Sequence, residues 1–334
     1  MTSPTERDLA LLPKGHLHLH FEAALRRDTL HQLGKQAGIP IAEIPTTSDF
    51  AAFASVFHSL VAVLSTPDAL RRVTLEAAED ARADGVVYLE LAVSPQFYAP
   101  VYGSTEAALA VLADAASDAG TITGVEVALM VTFDRTDPVA DAIELATLAA
   151  SFAGRGVVSV GLANNEVGFP AAPFAPAFDL ARAAGLVIAP HAGELLGPES
   201  VIEAVDVIGA NRVQHGVRAI DDAALVARLA DSEVCLDVCP TSNHFLGLVD
   251  DLADHPLVAL LAAGVSCSIN ADDPTIFGPG ILDEYQTART VLLLTDEQLA
   301  DCARSSISYS SASENVRERA LAGIDDWIRF GGTE

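Results

Sequence analysis

Lysine is almost absent from this chain. Only Lys14 and Lys35 occur among 334 residues, and 19 basic side chains stand against 46 acidic ones, a formal net charge of −27. A field of that sign repels phosphate backbones, so nucleic acid is not expected as a partner. Cysteine is scarce as well: Cys235, Cys239, Cys267 and Cys302. Three of the four lie in apolar, strand-like runs, where a thiol packs as a small core group. Cys235 and Cys239 do not form a C-x-x-C pair, which argues against a thiolate metal site. No apolar run reaches the roughly 18 residues that a membrane span needs. The opening MTSPTERDLALLPKG has no basic stretch leading into a long apolar one, so no secretory leader is read there. These absences predict no membrane partner and a reducing, cytoplasmic home.

What is present is apolar. Half of the residues are hydrophobic and 19% are charged, enough for a large core and incompatible with a disordered chain. Short β-branched runs recur at Gly15–Glu22, Val86–Val93, Val125–Phe133, Val157–Ala163, Leu186–Ala192, Arg212–Val217, Glu233–Val238 and Val265–Ala271. Between them lie Ala- and Leu-rich segments of helical period, such as Ser104–Ala119, Pro138–Phe152, Pro173–Ala184, Gly197–Ile208, Asp221–Ala230 and Pro256–Ala263. Gly85, Gly185 and Gly264 stand just before strands, where a helix ends in a left-handed cap. Eight strands alternating with helices predict an α/β fold, a closed (β/α)8 TIM barrel forming one domain over residues 1–334. A doubly wound open sheet is the alternative, but no Gly-x-Gly-x-x-Gly turn follows the first strand. The first two strands are separated by extra helical segments, Arg27–Ala37, Asp49–Leu64 and Pro67–Asp84. One of them carries Phe50, Phe53 and Phe57, a stripe suited to core packing or to a wall over the barrel mouth.

Barrel chemistry sits where strands end. The first candidate strand reads His16-Leu17-His18-Leu19-His20-Phe21-Glu22. Residues two apart share a face, so three imidazoles and a carboxylate line one side. An apolar strand seldom points so many polar groups inward without a partner, and a metal ion is the partner they fit. His18 and His20, nearest the strand end, are the better ligands; His16 lies deeper and suits a structural hydrogen bond. The fifth strand ends in His191-Ala192-Gly193-Glu194, the sixth in Gln214-His215-Gly216 and the eighth in Asn270-Ala271-Asp272-Asp273-Pro274. Three histidines and one aspartate with an open position for water describe a catalytic rather than a structural site.

Taken in order, these segments resemble the adenosine deaminase family of the amidohydrolase superfamily, over nearly the whole chain. Pro13-Lys14-Gly15-His16-Leu17-His18-Leu19-His20-Phe21-Glu22 is similar to the family opening Pro-Lys-x-x-Leu-His-x-His-x-(Asp/Glu). His191–Glu194 carries its His-Ala-Gly-Glu, His215-Gly216 its His-Gly, Cys239–Asn243 its Cys-Pro-x-Ser-Asn and Asp272–Pro274 its Asp-Asp-Pro. The resemblance implies hydrolytic deamination at C6 of a 6-aminopurine, with one Zn²⁺ per chain held by His18, His20, His191 and Asp272. It further implies that His215 orients and deprotonates the attacking water, assisted by Asp272, and that Glu194 protonates purine N1. Asp273 would then bond N7, Glu22 would lie near a ribose, a backbone N–H at Asn164 would face N3, and His20 would also border the substrate. Val157–Glu166 holds no lysine to bridge a second metal. The cytidine-deaminase type needs a Pro-Cys-x-x-Cys whose second half is missing after Cys239-Pro240.

Four departures bear on substrate. Ala23 replaces a frequent glycine, Glu22 is longer than the aspartate of many adenosine deaminases, and Val93 stands where an arginine is expected before Ser94. The segment Asn164-Asn165-Glu166 is similar to a Ser-Ser-Glu of adenine deaminases, whereas Cys239–Asn243 and Leu282–Tyr285 resemble the nucleoside branch. The expectation is therefore adenosine, deoxyadenosine or a close adenine nucleoside. Free adenine and 6-aminodeoxyfutalosine are the alternatives, and a catalytically dead binding module is a remote one, since every expected ligand and the acid are present.

Overall fold

Nine parallel strand segments carry the short apolar runs: β1 (Lys14–His20), β2 (Val86–Val93), β3 (Glu126–Asp134), β4 (Val157–Ala163), β5 (Val187–Ile188), β6 (His191–Ala192), β7 (Arg212–His215), β8 (Cys235–Val238) and β9 (Ser266–Ile269). They belong to a computed structural model that describes residues 7–41 and 50–331, with the backbone alone for residues 50–54. β1 to β5 pair in chain order, as do β6 to β9. Two seams join the runs. Ala189 donates to the Val160 carbonyl (2.9 Å) and Gln214 to the Pro190 carbonyl (3.0 Å). β5 and β6 are thus one barrel strand, interrupted where Pro190 has no N–H to offer. At the other seam His20 donates to the Asp272 carbonyl (3.0 Å) and Asp272 to the His18 carbonyl (3.1 Å). The expected run Leu186–Ala192 therefore splits in two, while the eight-stranded closed barrel holds.

Helices follow the strands as expected, among them Thr105–Thr123, Val139–Ser151, Ala175–Ala183, Pro198–Asp206 and Ala223–Ala230. Gly85, Gly185 and Gly264 have φ of 81°, 81° and 89°, the left-handed conformation that suits glycine at a helix end. The additional helices between β1 and β2 are Arg27–Ala37, Phe50–Val63 and Pro67–Ala83. Of the aromatic stripe, the Phe50 and Phe53 side chains lie outside the described residues, as does Asp49. Three C-terminal helices went unmarked by periodicity: Ile281–Thr290, Asp296–Ser308 and Glu314–Phe330. A capping box, Thr295 with Gln298, opens the second of them and is its sequence signal. That helix packs on β1, where Ser306 Oγ accepts the Gly15 N–H (2.8 Å).

Beneath the strand ends the barrel interior is ionic as well as apolar. Arg212 bonds Glu90 and reaches Asp237 at 3.3 Å, all three fully buried. Ser159 and Tyr88 also donate to Glu90 (2.6 and 3.0 Å), and Ser268 donates to Asp237 (2.7 Å). Burial opposes the Arg212 charge, but Glu90 and Asp237 on either side raise its pKa. Asn270 continues the network upward: its Oδ1 accepts the N–H groups of Leu17 and His18 (2.7 and 3.1 Å) where the register of β1 slips. The histidine strand is thereby set by a side chain as well as by its neighbours.

Candidate active site

Four nitrogen and oxygen atoms converge at the C-terminal mouth of the barrel. Asp272 Oδ1 lies 3.1 Å from His18 Nε2 and 3.4 Å from His20 Nε2, and His20 Nε2 lies 3.2 Å from His191 Nε2. Ligands held 2.0–2.1 Å from a tetrahedral zinc stand roughly 3.3 Å apart, the spacing seen here. Of these atoms His18 Nε2 is buried and has no hydrogen-bond partner, which is costly unless something else fills the space. His215 Nε2 is also buried without a partner, and it clusters with His18, His191 and Asp272; His20 clusters with Asp272 and Asp273. The donor set is nitrogen and carboxylate, as zinc prefers. Burial pushes the His20 imidazole down to about 4 and the His215 imidazole down to about 3, and drives His191 well below its ordinary value. All three are neutral at pH 7, the form that ligates. Burial works against the Asp272 charge, but His18, His215 and His20 hold its carboxyl well below the usual range. The residues present fit a divalent metal.

Backbone strain marks the same ring of strand ends. Asn164, His215 and Asp272 have φ of 81°, 65° and 61°, conformations that a residue with a Cβ adopts only under constraint. At Asp272 the constraint is the closing seam of the barrel, where its N–H and C=O are both bonded to β1.

A relay of hydrogen bonds sets the His215 ring. The Leu257 N–H donates to His255 Nδ1 (3.1 Å), so neutral His255 carries its hydrogen on Nε2. That hydrogen faces Asn243 Oδ1 (3.1 Å), which leaves the Asn243 amide N–H to donate to His215 Nδ1 (3.0 Å). Neutral His215 then carries its hydrogen on Nε2, facing Glu194 Oε1 at 3.6 Å and Asp272 Oδ2 at 3.8 Å. Ser242 Oγ donates to the same Asp272 oxygen (2.6 Å). Sequence reading quoted Cys239–Asn243 as a motif but assigned no role to Ser242 or Asn243, and overlooked His255.

A cavity of about 360 Å³ opens above the cluster. His20, His191, Glu194, Asp272 and Asp273 form its polar floor, and Phe57, Val61, Phe97, Phe133 and Phe277 its apolar wall. Phe57, the described member of the aromatic stripe, thus stands on the wall. Burial raises the Glu194 carboxyl well above its ordinary value, and the Asp272 and Glu166 charges push the same way. Burial and the charges of Asp272, Glu194 and Glu22 do the same to Asp273, whose Oδ1 is buried and unpaired. Both carboxyls are thereby pushed toward their protonated form.

Other expected residues stand elsewhere. Glu22 is buried, accepts the Tyr98 hydroxyl (2.8 Å) and is not among the residues lining the cavity. Asn164, whose backbone N–H is the group expected to meet the purine, does line the cavity, and its side-chain amide donates to both Asp134 oxygens (3.0 and 2.9 Å). His16 lies deeper, accepting the Ala271 N–H (3.2 Å), the structural bond expected of it. Of two further charged residues, Arg135 is not marked by any motif and Glu166 is marked only as part of the Asn164-Asn165-Glu166 segment, without a role. Arg135 donates to the carbonyls of His191 (2.7 Å) and Phe169 (3.1 Å), and Glu166 bonds the loop that carries Glu194. Among the described residues no helix is long and apolar enough to cross a membrane.

Known proteins share this arrangement. A relative from Streptomyces virginiae named for both substrates, as an adenosine/adenine deaminase, is 39% identical over 96% of this chain and 98% of its own. The crystal structure of an adenine deaminase from Arthrobacter aurescens superposes with a TM-score of 0.88 at 31% identity, covering 95% of this chain and 99% of that one. An amidohydrolase from Burkholderia ambifaria, solved with bound Zn, gives a TM-score of 0.86 at 27% identity over 97% of this chain and 92% of its own. The sequence pattern of adenosine deaminases matches residues 13–327. The chain belongs to the adenosine deaminase family of metal-dependent hydrolytic deaminases.

Proposed function

We propose that this enzyme removes the 6-amino group of an adenine nucleoside, adenosine or deoxyadenosine, with one zinc ion held by His18, His20, His191 and Asp272. The observation that carries the reading is the pair of buried carboxyls lining the cavity beside the histidine cluster, Glu194 and Asp273, whose burial favours the protonated form. Purine N1 and N7 are acceptors on either side of C6, so two carboxyl groups that keep their protons match them. A bound zinc ion supplies a water whose pKa falls toward about 7. His215, expected to deprotonate the attacking water as well as orient it, carries its own hydrogen on Nε2 in this tautomer and so orients the water only; the anionic Asp272, within 3.8 Å of that nitrogen, takes the proton instead of merely assisting. Glu194 passes its proton to N1 as C6 becomes tetrahedral. Asp273 donates to N7, and ammonia departs with a proton drawn from the same groups.

Room beyond the floor supports a nucleoside over a base. A cavity of about 360 Å³ lies in the range that buries a drug-sized molecule. Among the described residues no Lys or Arg lines it, and Asp134 adds a carboxylate at the rim, which disfavours a phosphorylated substrate. Free adenine is the second reading, favoured by the likeness to the Arthrobacter adenine deaminase. Steady-state deamination of adenosine, deoxyadenosine, adenine and 6-aminodeoxyfutalosine separates them: the nucleosides should exceed adenine in kcat/KM, and a reversal discards the nucleoside assignment.

A further inference from the structure

Glu166 is given no step in the chemistry above beyond the push its charge adds to the Glu194 carboxyl, yet its carboxylate is fully buried beside the site. Oε2 accepts three consecutive N–H groups, those of Glu194 (3.2 Å), Leu195 (2.8 Å) and Leu196 (2.8 Å). Oε1 accepts the Ser200 hydroxyl (2.8 Å), and Ser200 Oγ in turn accepts the Gly193 N–H (3.4 Å). The loop between β6 and the helix Pro198–Asp206 is therefore wrapped around one anion. It is blocked on its other side: a Cβ at Gly193, where φ is +64°, would lie 2.5 Å from Val201 Cγ2. The Glu194 carboxyl has no comparable clamp. Among the described residues it meets His215 Nε2 at 3.6 Å and otherwise faces the cavity. Where that carboxyl stands is decided by its backbone, and its backbone is decided by Glu166.

We propose that Glu166 is a positioning residue for proton delivery by Glu194, acting through the three N–H groups it gathers. The proposal rests on the reading of Glu194 as the acid. A proton donor displaced by about 1 Å from its acceptor loses up to roughly 100-fold in rate, whereas ground-state binding by the floor and wall of the cavity is little affected. The effect should therefore fall on kcat and leave KM and metal content alone. Glu166→Gln is the mildest probe, since an amide oxygen can still face the loop while the charge is gone.

The test is a double-mutant cycle of Glu166→Gln and Glu194→Gln, with kcat, KM, zinc per chain and melting temperature measured for each. Expected for Glu166→Gln alone is a loss in kcat of roughly 10- to 100-fold, with KM within about threefold and zinc unchanged. In the Glu194→Gln background the same substitution should cost less than about twofold, because there is no proton left to aim. Losses that multiply in the double variant, or wild-type kcat in Glu166→Gln, overturn the proposal. Wild-type kcat in Glu194→Gln alone overturns the acid assignment first, and is read separately. Should Glu166→Gln fail to fold, Ser200→Ala leaves the three Oε2 bonds in place, removes the Oε1 contact together with the long Gly193 N–H bond, and must show the same non-additivity on a smaller loss.

Discussion

Asp272 and His20 are bonded twice over. The His20 N–H donates to the Asp272 carbonyl at 3.0 Å, and the His20 ring stands 3.4 Å from the Asp272 carboxylate. The backbone bond closes the barrel, and the side chains sit in the candidate metal cluster. Assembling the ligands and closing the fold are thus one event, so metal occupancy should report on stability as well as activity.

Removing the metal with a chelator should lower the melting temperature and abolish deamination, and zinc should restore both. At a thousandfold excess over its dissociation constant, a ligand that binds only the folded state contributes about 4 kcal/mol. His18→Ala and His191→Ala should each purify with far less than one zinc per chain by elemental analysis, and without activity. Either variant keeping both would show that other residues are the ligands.

Glu194→Gln should keep its zinc and bind substrate with little change, since the amide preserves shape. Turnover should fall by about 10²- to 10⁴-fold, the contribution of a positioned general acid. Single-turnover and equilibrium-binding measurements on the same preparation check both halves; a variant within tenfold of wild type removes Glu194 from the acid's role.

Glu22 faces Tyr98 rather than the cavity, and burial pushes its carboxyl up to about 7. Losing that buried bond in Tyr98→Phe should cost about 1–2 kcal/mol of stability. A brace should affect all substrates alike, so Glu22→Gln is expected to change kcat/KM for adenosine and adenine by the same factor. A loss confined to the nucleoside would place Glu22 against the sugar instead.

Phosphate should be refused. With the Asp134 and Asp272 carboxylates on the cavity lining and no Lys or Arg among its described residues, a 5′-monophosphate meets like charge. Such contacts cost several kcal/mol, so kcat/KM for AMP should lie at least roughly 100-fold below that for adenosine. Comparable values for the two would contradict this reading of the wall.

Lys14 makes stability depend on alkaline pH. It is buried, donates to the carbonyls of Leu9 (2.9 Å) and Asp84 (2.6 Å), and burial pulls its pKa from 10.5 down to about 7 against the pull of Asp84 and Asp8. Between those two values the unfolded chain holds a proton that the folded chain has released, so this group makes stability rise with pH, by at most about 1.4 kcal/mol per unit. Below about pH 7 both states are protonated and the penalty is full. Urea melts at pH 7 and pH 9 should show wild type gaining on Lys14→Met; an unchanged difference contradicts the assignment.

The barrel and the identity of its polar strand ends were readable because both depend on spacing within a few residues. Alternation puts His16, His18 and His20 on one face, and apolar runs of strand length announce themselves whatever they pair with. The break at Pro190 was readable in principle too, since proline cannot donate to a ladder. The helix Asp296–Ser308 was signalled only by its capping box, because its apolar face is interrupted by Ser306, which packs against β1.

What the tertiary structure decided are relationships between residues far apart in the chain. Glu22 meets Tyr98 across 76 positions, and Glu166 grips Glu194 across 28. The same distance separates Asn243 from His215, whose ring hydrogen is placed through His255. Sequence supplied the chemical types: imidazoles, carboxylates and a chain poor in cations. Which carboxylate loses its charge to burial, which nitrogen carries the hydrogen and which acid faces the cavity depend on desolvation and direction, and those exist only once the barrel has closed.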